Sequence, residues 1–358
     1  MKPFVPSRTP VVASRIVVLV FSVALAVAAS AADLVTVRDA LKRLETWFNS
    51  DQGRSILENV LSNQSPLGSW PKNTNTAAAH FTGDASTIKG TFDNGATTDE
   101  LRLLTRAFNV TQEARYCAAI LKGLDHILLA QYPTGGWPQY YPPGKQYHRH
   151  ITYNDNAMLR LMEFLRDVAT TKDFAFIDAE RRAKAQAAFD RGIDCIVKSQ
   201  IKVKGQLTVW CAQHDEITLE PRPARAFELV SLSGSESAGL LLLLMSLEKP
   251  SPDVVRAVHA GVKWFETSKL TGRRQEKING DKKIISDPNA PPLWARFYEI
   301  ESNRPIFSGR DSVKKYDIAE IESERRNGYA WYGGWGEAVA KRYGQWRHQW
   351  PEIKGIGE

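Results

Sequence analysis

Two short polar turns carry the residues best suited to hold a cation: Asp93-Asn94 and Asn154-Asp155-Asn156. Carboxylate and amide oxygens are hard ligands of the kind that suit Ca²⁺, and donors from separate loops leave a partly open site. Asp93, Asn94 and Asp155 are therefore the candidate metal ligands. Asp and Asn also cap helix N-termini well, so capping stands beside ligation as a reading of both turns. Neither turn has the spacing of an EF-hand loop. Arg149, Arg222, Arg225, Arg296 and Arg310 fall near the polar segments. A guanidinium forks onto a carboxylate through two hydrogen bonds. Acidic ligands, arginines and aromatic rims in one cleft suit an acidic sugar held partly through a bridging cation.

Other chemistries lack their residues. His148-Arg-His150 has the look of a metal pair. The two imidazoles would share a face only in a strand, and a structural or substrate contact is the preferred reading over zinc. Ser233-Gly-Ser-Glu-Ser lacks the second glycine of a nucleophile elbow. Gly135-Gly136 runs into Trp137-Pro138, not into the Gly-Lys-Ser/Thr of a phosphate loop. Cys117, Cys195 and Cys211 are too few and too irregularly spaced for a disulfide scaffold or zinc finger, and allow at most one disulfide.

Helical periodicity dominates the elements that must position these groups. It places one or two amphipathic helices in 35–61, with Leu41, Leu44, Trp47 and Phe48 on one face. Further helices are expected from Thr98 (capped by Thr97 or Thr98 itself) and over 114–129, 155–168, 176–198, 236–247 and 253–267. Strand-like alternation is brief and best at Leu207-Thr-Val-Trp210. Three helices each run into a loop carrying Gln, then Gly, then Trp: Gln64 to Trp70, Gln131 to Trp137 and Gln200 to Trp210. The tryptophans are spaced by 67 and 73 residues. After each comes a polar turn that opens a new helix, at Asp93, Asn154 and Ser233. One helix, loop and helix cannot bury its own apolar face, so the units must pack on one another. Three helix pairs around an axis make a toroid, with the loops at one end lining a cleft; an ordinary bundle is the competing arrangement. Residues 270–323 read as loops packed over the toroid, with no linker before them.

The chain has 358 residues, 43% hydrophobic and 24% charged, a composition that excludes disorder and low complexity. It starts with Lys2, Arg8 and Arg15, an apolar run over 16–29 and the small-x-small site Ala29-Ser30-Ala31. This reads as a signal peptide over 1–31, leaving 32–358 as a single domain that is secreted or periplasmic, free of the membrane after cleavage, and monomeric. Loss of the three basic residues takes the formal charge from +7 to +4. That charge is scattered, with no stripe that could track a nucleic-acid backbone. An exported, mildly basic protein more plausibly meets an anionic polymer.

Longer motifs carry a resemblance. Thr91-Phe-Asp-Asn-Gly-Ala-Thr-Thr-Asp-Glu-Leu, Gly135-Gly-Trp-Pro-Gln-Tyr-Tyr-Pro and His148-Arg-His-Ile-Thr-Tyr-Asn-Asp-Asn-Ala-Met resemble polysaccharide lyase family 10, the pectate lyases. Trp210-Cys-Ala-Gln-His-Asp, Ala224-Arg-Ala-Phe-Glu-Leu, Ser231-Leu-Ser-Gly-Ser-Glu-Ser and Pro305-Ile-Phe-Ser-Gly-Arg-Asp continue it in order, from about residue 40 to the end. The resemblance implies a mainly α, (α/α)₃ toroid and Ca²⁺-dependent β-elimination of α-1,4-polygalacturonate to 4,5-unsaturated oligogalacturonates. It implies Asp93 and Asp155 as calcium and substrate ligands, Arg225 as the catalytic base, and Arg296 and Arg310 as binders of uronate carboxylates, with Arg149 a further candidate. Pro223 departs from the pattern, where an aromatic residue is expected before Ala-Arg-Ala. A guanidinium keeps its proton unless neighbouring cations and desolvation lower its pKa. Two competing functions remain: a glycoside hydrolase on a similar toroid, with Asp93 and Asp155 as its acid/base pair, and a non-catalytic acidic-polysaccharide binder.

Overall fold

A computed structural model describes residues 35–352. The signal-peptide reading lies outside them. Ten α-helices run through the described residues: α1 (Val37–Ala40), α2 (Asp51–Ser62), α3 (Thr98–Thr111), α4 (Ala114–Leu129), α5 (Ala157–Thr170), α6 (Ala179–Ser199), α7 (Gly234–Leu244), α8 (Pro252–Ser268), α9 (Ser323–Gly328) and α10 (Trp335–Gln349). None is long and apolar enough to cross a membrane. Local chemistry sets several starts. Ser50 Oγ accepts from Gly53 N at 3.0 Å, and Asp178 Oδ1 accepts from Arg181 N at 2.9 Å. Ser251 caps α8 ahead of Pro252 in its first turn.

The helices form an alternating double ring, the helical toroid that the triple repeat implies. α3 packs on α5 and α5 on α7, and each packs on its successor α4, α6 or α8. α10 packs on α7 and α8. The Gln-Gly-Trp loops hold these layers by one repeated device. Trp70, Trp137 and Trp210 are fully buried. Their indole N–H groups donate to carbonyls of the preceding helix: Val60 (2.7 Å), Ile127 (2.9 Å) and Ile196 (2.6 Å). Each glutamine amide reaches across to the next outer helix, Gln64 to Ala119 O, Gln131 to Ala188 O and Gln200 to Ala257 O. The device recurs where no repeat was read. Trp294 Nε1 donates to Phe265 O of α8 at 2.8 Å. Gly135 (φ +94°) has a reason for its identity: a Cβ there would lie 2.1 Å from Arg191 O.

Three expectations are corrected. The first segment breaks into α1, a 3₁₀ turn at Glu45–Asn49 and α2, and Leu44 is exposed rather than sharing the buried face of Phe48. The strand expected at 207–210 pairs only at Gln206–Leu207, with Lys202–Val203. The segment 270–323 is not only loops. Arg273–Ile278 and Asp281–Ser286 form an antiparallel hairpin, turned by Asn279 and Gly280, both at positive φ. The three cysteines are free. Val35 onward forms one compact unit.

The Trp137 device yields a stability test. Trp137→Phe strands the buried Ile127 carbonyl and should cost about 1–3 kcal/mol, read as a lower midpoint in urea at unchanged slope.

Candidate active site

Neither the Asp93–Asn94 turn nor the Asn154–Asn156 turn caps its helix through a side chain. The N-cap of α3 is Thr97, whose amide donates to Glu100 Oε2 at 2.8 Å. The N-cap of α5 is Asn156, without a side-chain cap bond. Asp93, Asn94 and Asp155 are left free of the capping role. Asn94 (φ +56°), Asp155 (φ +51°) and Asn156 (φ +62°) all sit in the left-handed region. Such residues persist where surrounding contacts over-determine them, and they cluster at functional sites. The turns Asp93–Gly95 and Asn154–Asn156 pack on each other, and the second packs on α7.

Asp155 enters a charged cluster centred on Arg296. Arg296 is 5% exposed. Its Nη2 donates to Asp155 Oδ1 at 2.9 Å and to Asn154 Oδ1 at 3.2 Å, and it pairs with the fully buried Glu236. Backbone bonds fix it: Arg296 N to Trp331 O (2.7 Å) and Gly234 N to Arg296 O (2.8 Å). The guanidinium lies 4.6 Å over the ring of Tyr329. Burial, the largest single influence, would lower its pKa, but the charges of Glu236, Tyr329 and Asp155 and the hydrogen bond to Asp155 together outweigh it and drive it up.

Arg225 lies near the same ring, 5.7 Å from its centroid, and 5.0 Å over Phe227. Its fork closes on Glu228 through Nε (2.8 Å) and Nη2 (2.5 Å). Tyr329 Oη donates to Glu228 Oε1 at 2.7 Å. Burial pulls the Arg225 pKa down, but the hydrogen bonds and charge of Glu228 outweigh it, so the proton is held more tightly than usual. The Arg225 side chain remains 40% exposed.

Asp93 occupies a second pocket beside this cluster. It is 3% exposed. Its Oδ2 pairs with Lys72 and accepts from Gln139 Nε2 at 2.6 Å. Its Oδ1 is buried without a partner. Carboxylate oxygens such as this are hard donors of the kind Ca²⁺ takes, while Asp93 and Asp155 are already paired with Lys72 and Arg296. Asn94 is exposed, and its carbonyl accepts from Arg38 at 2.7 Å.

The remaining arginines lie outside the cluster. Arg149 pairs with Glu216, and Arg222 with Asp215 at 2.9 Å. Arg310 is exposed and meets Glu324 at 3.2 Å. His148 and His150 part company. His148 stacks on Tyr147 at 3.9 Å, and His150 Nδ1 lies 3.2 Å from Glu216. His150, Asp215 and Glu216 bring three donor atoms within 4.8 Å of one another. Arg149 and Arg222 already neutralise those carboxylates, which makes the group an ion-pair network. The sequence reading did not single out Glu228, Glu236, Tyr329, Lys72 or Gln139. Glu236 had a local signal, lying three residues after Ser233 as a capping-box acid does; Tyr329 had none.

The comparisons agree with this geometry. The family model for pectic acid lyases matches residues 64–340. A family 10 polysaccharide lyase from Cellvibrio cellulosa shares 33% identity with a TM-score of 0.77, over 88% of this chain and 95% of that one. An aspartate-to-alanine mutant of a family 10 polysaccharide lyase from the same organism, in complex with trigalacturonic acid, matches at 33% identity and TM-score 0.76, over 89% and 100%. No curated protein sequence matches. The chain belongs to polysaccharide lyase family 10, the pectic acid lyases, and is a pectate lyase.

Two tests follow from the geometry. Glu236→Ala leaves Arg296 with a buried, half-matched charge and should cost about 3–5 kcal/mol in denaturant melts. Glu100, under the Asp93 turn, is fully buried, and burial pushes its carboxyl up to about 7 from 4.5. The folded state then keeps a proton that the unfolded chain has lost. Its share of stability is complete below about pH 4.5 and falls, by roughly 3 kcal/mol, as pH rises to about 7. Glu100→Gln should flatten that slope in melts across this range.

Proposed function

We propose that this pectate lyase cleaves α-1,4-polygalacturonate by Ca²⁺-dependent β-elimination, with Arg225 as the base. The observation that carries the reading is the arginine pair on the Tyr329 ring, one buried on Asp155 and one with an open edge. The C5 hydrogen of a uronate is a weak acid, and negative charge builds on the carboxylate as it leaves. Asp93, Asn94 and Asp155 would hold a Ca²⁺, which supplies a Lewis acid for that carboxylate. Arg296 supplies fixed positive charge from beneath, already organised by Glu236 before substrate arrives. Arg225 acts only as the neutral guanidine, after losing its resting proton to water. It then takes the C5 proton and becomes guanidinium, the C5–H electron pair forms the C4–C5 double bond, and the C4–O bond breaks with water protonating the leaving oxygen. Glu228 opposes this role, because it holds the Arg225 proton in place. The base role requires the exclusion of water by the polymer and the cations nearby to outweigh Glu228: Arg296, and Arg325, whose guanidinium lies 4.3 Å over Phe227 and 5.7 Å from the Tyr329 centroid. Arg149 and Arg310 are peripheral contacts for uronates farther along. The basic start and small-x-small site support export to the periplasm or beyond.

The test is ultraviolet absorbance during action on polygalacturonate. A rise that needs Ca²⁺ and vanishes with chelator is expected. Arg225→Lys should lower kcat about 10²–10⁴-fold with KM little changed. Near-normal turnover in Arg225→Lys would remove the base role, and new reducing ends without absorbance would make the enzyme a hydrolase.

A further inference from the structure

We propose that a groove beside Asp93 binds uronate residues of the polymer remote from the bond being cut, with Lys89 as its carboxylate contact and Tyr140 and His148 as its sugar platform. This rests on the polygalacturonate reading above. The groove encloses about 740 Å³, within the range of ligand sites. It adjoins the Asp93 pocket through shared residues. Lys72, Thr91 and Gln139 line it, and all three hold Asp93: Lys72 and Gln139 through Oδ2, Thr91 Oγ1 by accepting the Asp93 amide at 3.2 Å. A polymer engaged at Asp93 therefore has the groove as its next stop.

The lining matches the two faces of a uronate. A pyranose ring presents an apolar C–H face, and His148 offers an aromatic wall, 5.3 Å from Tyr140 and stacked on Tyr147. Leu67 and Pro142 extend the apolar surface. The edges of the sugar are hydroxyls and a carboxylate. Gln139 is 5% exposed, yet its Oε1 has no hydrogen-bond partner. The Gln139 amide nitrogen is held by Asp93 at 2.6 Å, which fixes this wall of the groove against the Asp93 pocket. Two lysines line the groove, and they differ. Lys72 is neutralised by Asp93. Lys89 is exposed and, among the described residues, has no carboxylate within ion-pair distance. It is the groove's free cation and pairs with an incoming carboxylate.

The experiment is calorimetric binding of trigalacturonate and hexagalacturonate to the full enzyme and to Lys89→Glu and Tyr140→Ala, each checked by circular dichroism. Lys89→Glu should weaken hexamer binding about tenfold and trimer binding less than threefold, and the hexamer loss should shrink as salt is raised. Tyr140→Ala should weaken the hexamer selectively without changing the salt dependence. Equal weakening of both lengths, or none in either variant, overturns the groove. Binding is read apart from turnover. Loss of absorbance change with selective hexamer binding intact would sink the lyase chemistry and leave the groove standing.

Discussion

A guanidinium taken out of water must be enclosed by acceptors, and Arg296 imposes that demand on the whole cleft. Its partners come from distant parts of the chain: Asn154 and Asp155 from the turn before α5, and Glu236 from the first turn of α7. Desolvating such an ion costs several kcal/mol, so these elements are tied to one arrangement or the ion is left half-matched. The left-handed backbone at Asp155 and Asn156, which costs of order 1–3 kcal/mol each, is held by the same enclosure. Strand pairing at Leu232–Ser233 with Phe297–Tyr298 brings the arginine to the helix start. Tyr329 then extends the cluster, with its ring under both arginines and its hydroxyl on the acid that grips Arg225.

The toroid serves that enclosure. Each buried tryptophan ties a loop to the helix before it, and each glutamine ties the same loop to the outer helix that follows. The loops are thereby fixed to the helices at both ends, and the polar turns stay close enough to share ions. A catalytic constellation held by rigid elements loses little on substrate binding, which is the condition for preorganised charge stabilisation.

The toroid could be read from the sequence because its device is local. Gln, Gly and Trp recur at near-constant spacing, and helical periodicity marks the layers between them. The fourth tryptophan, Trp294, escaped because its loop follows a hairpin-bearing segment and its repeat lacks the Gln-Gly signature. Asp93 and Asp155 stood out by type, whereas Arg225 and Arg296 were separated from the other arginines only by the family resemblance. The sequence did not show that Asp155 and Arg296, 141 positions apart, share one ion pair, while Arg149 and Arg310 face other carboxylates. Long-range pairing of charges has no periodicity to betray it. Glu228 was hidden for another reason. It lies three residues from Arg225, and only the loop geometry turns that spacing into a closed fork that sets the arginine's proton affinity.

The most direct test of the account is proton nuclear magnetic resonance of the products formed from polygalacturonate by the purified enzyme with Ca²⁺. The account requires a vinylic H4 signal at the new non-reducing end, with the H5 signal of that residue lost. New ends that keep H5 and show no vinylic signal would mean that water had attacked C1 and broken the C1–O bond, leaving the glycosidic oxygen on C4, and the arginine-centred elimination would be wrong.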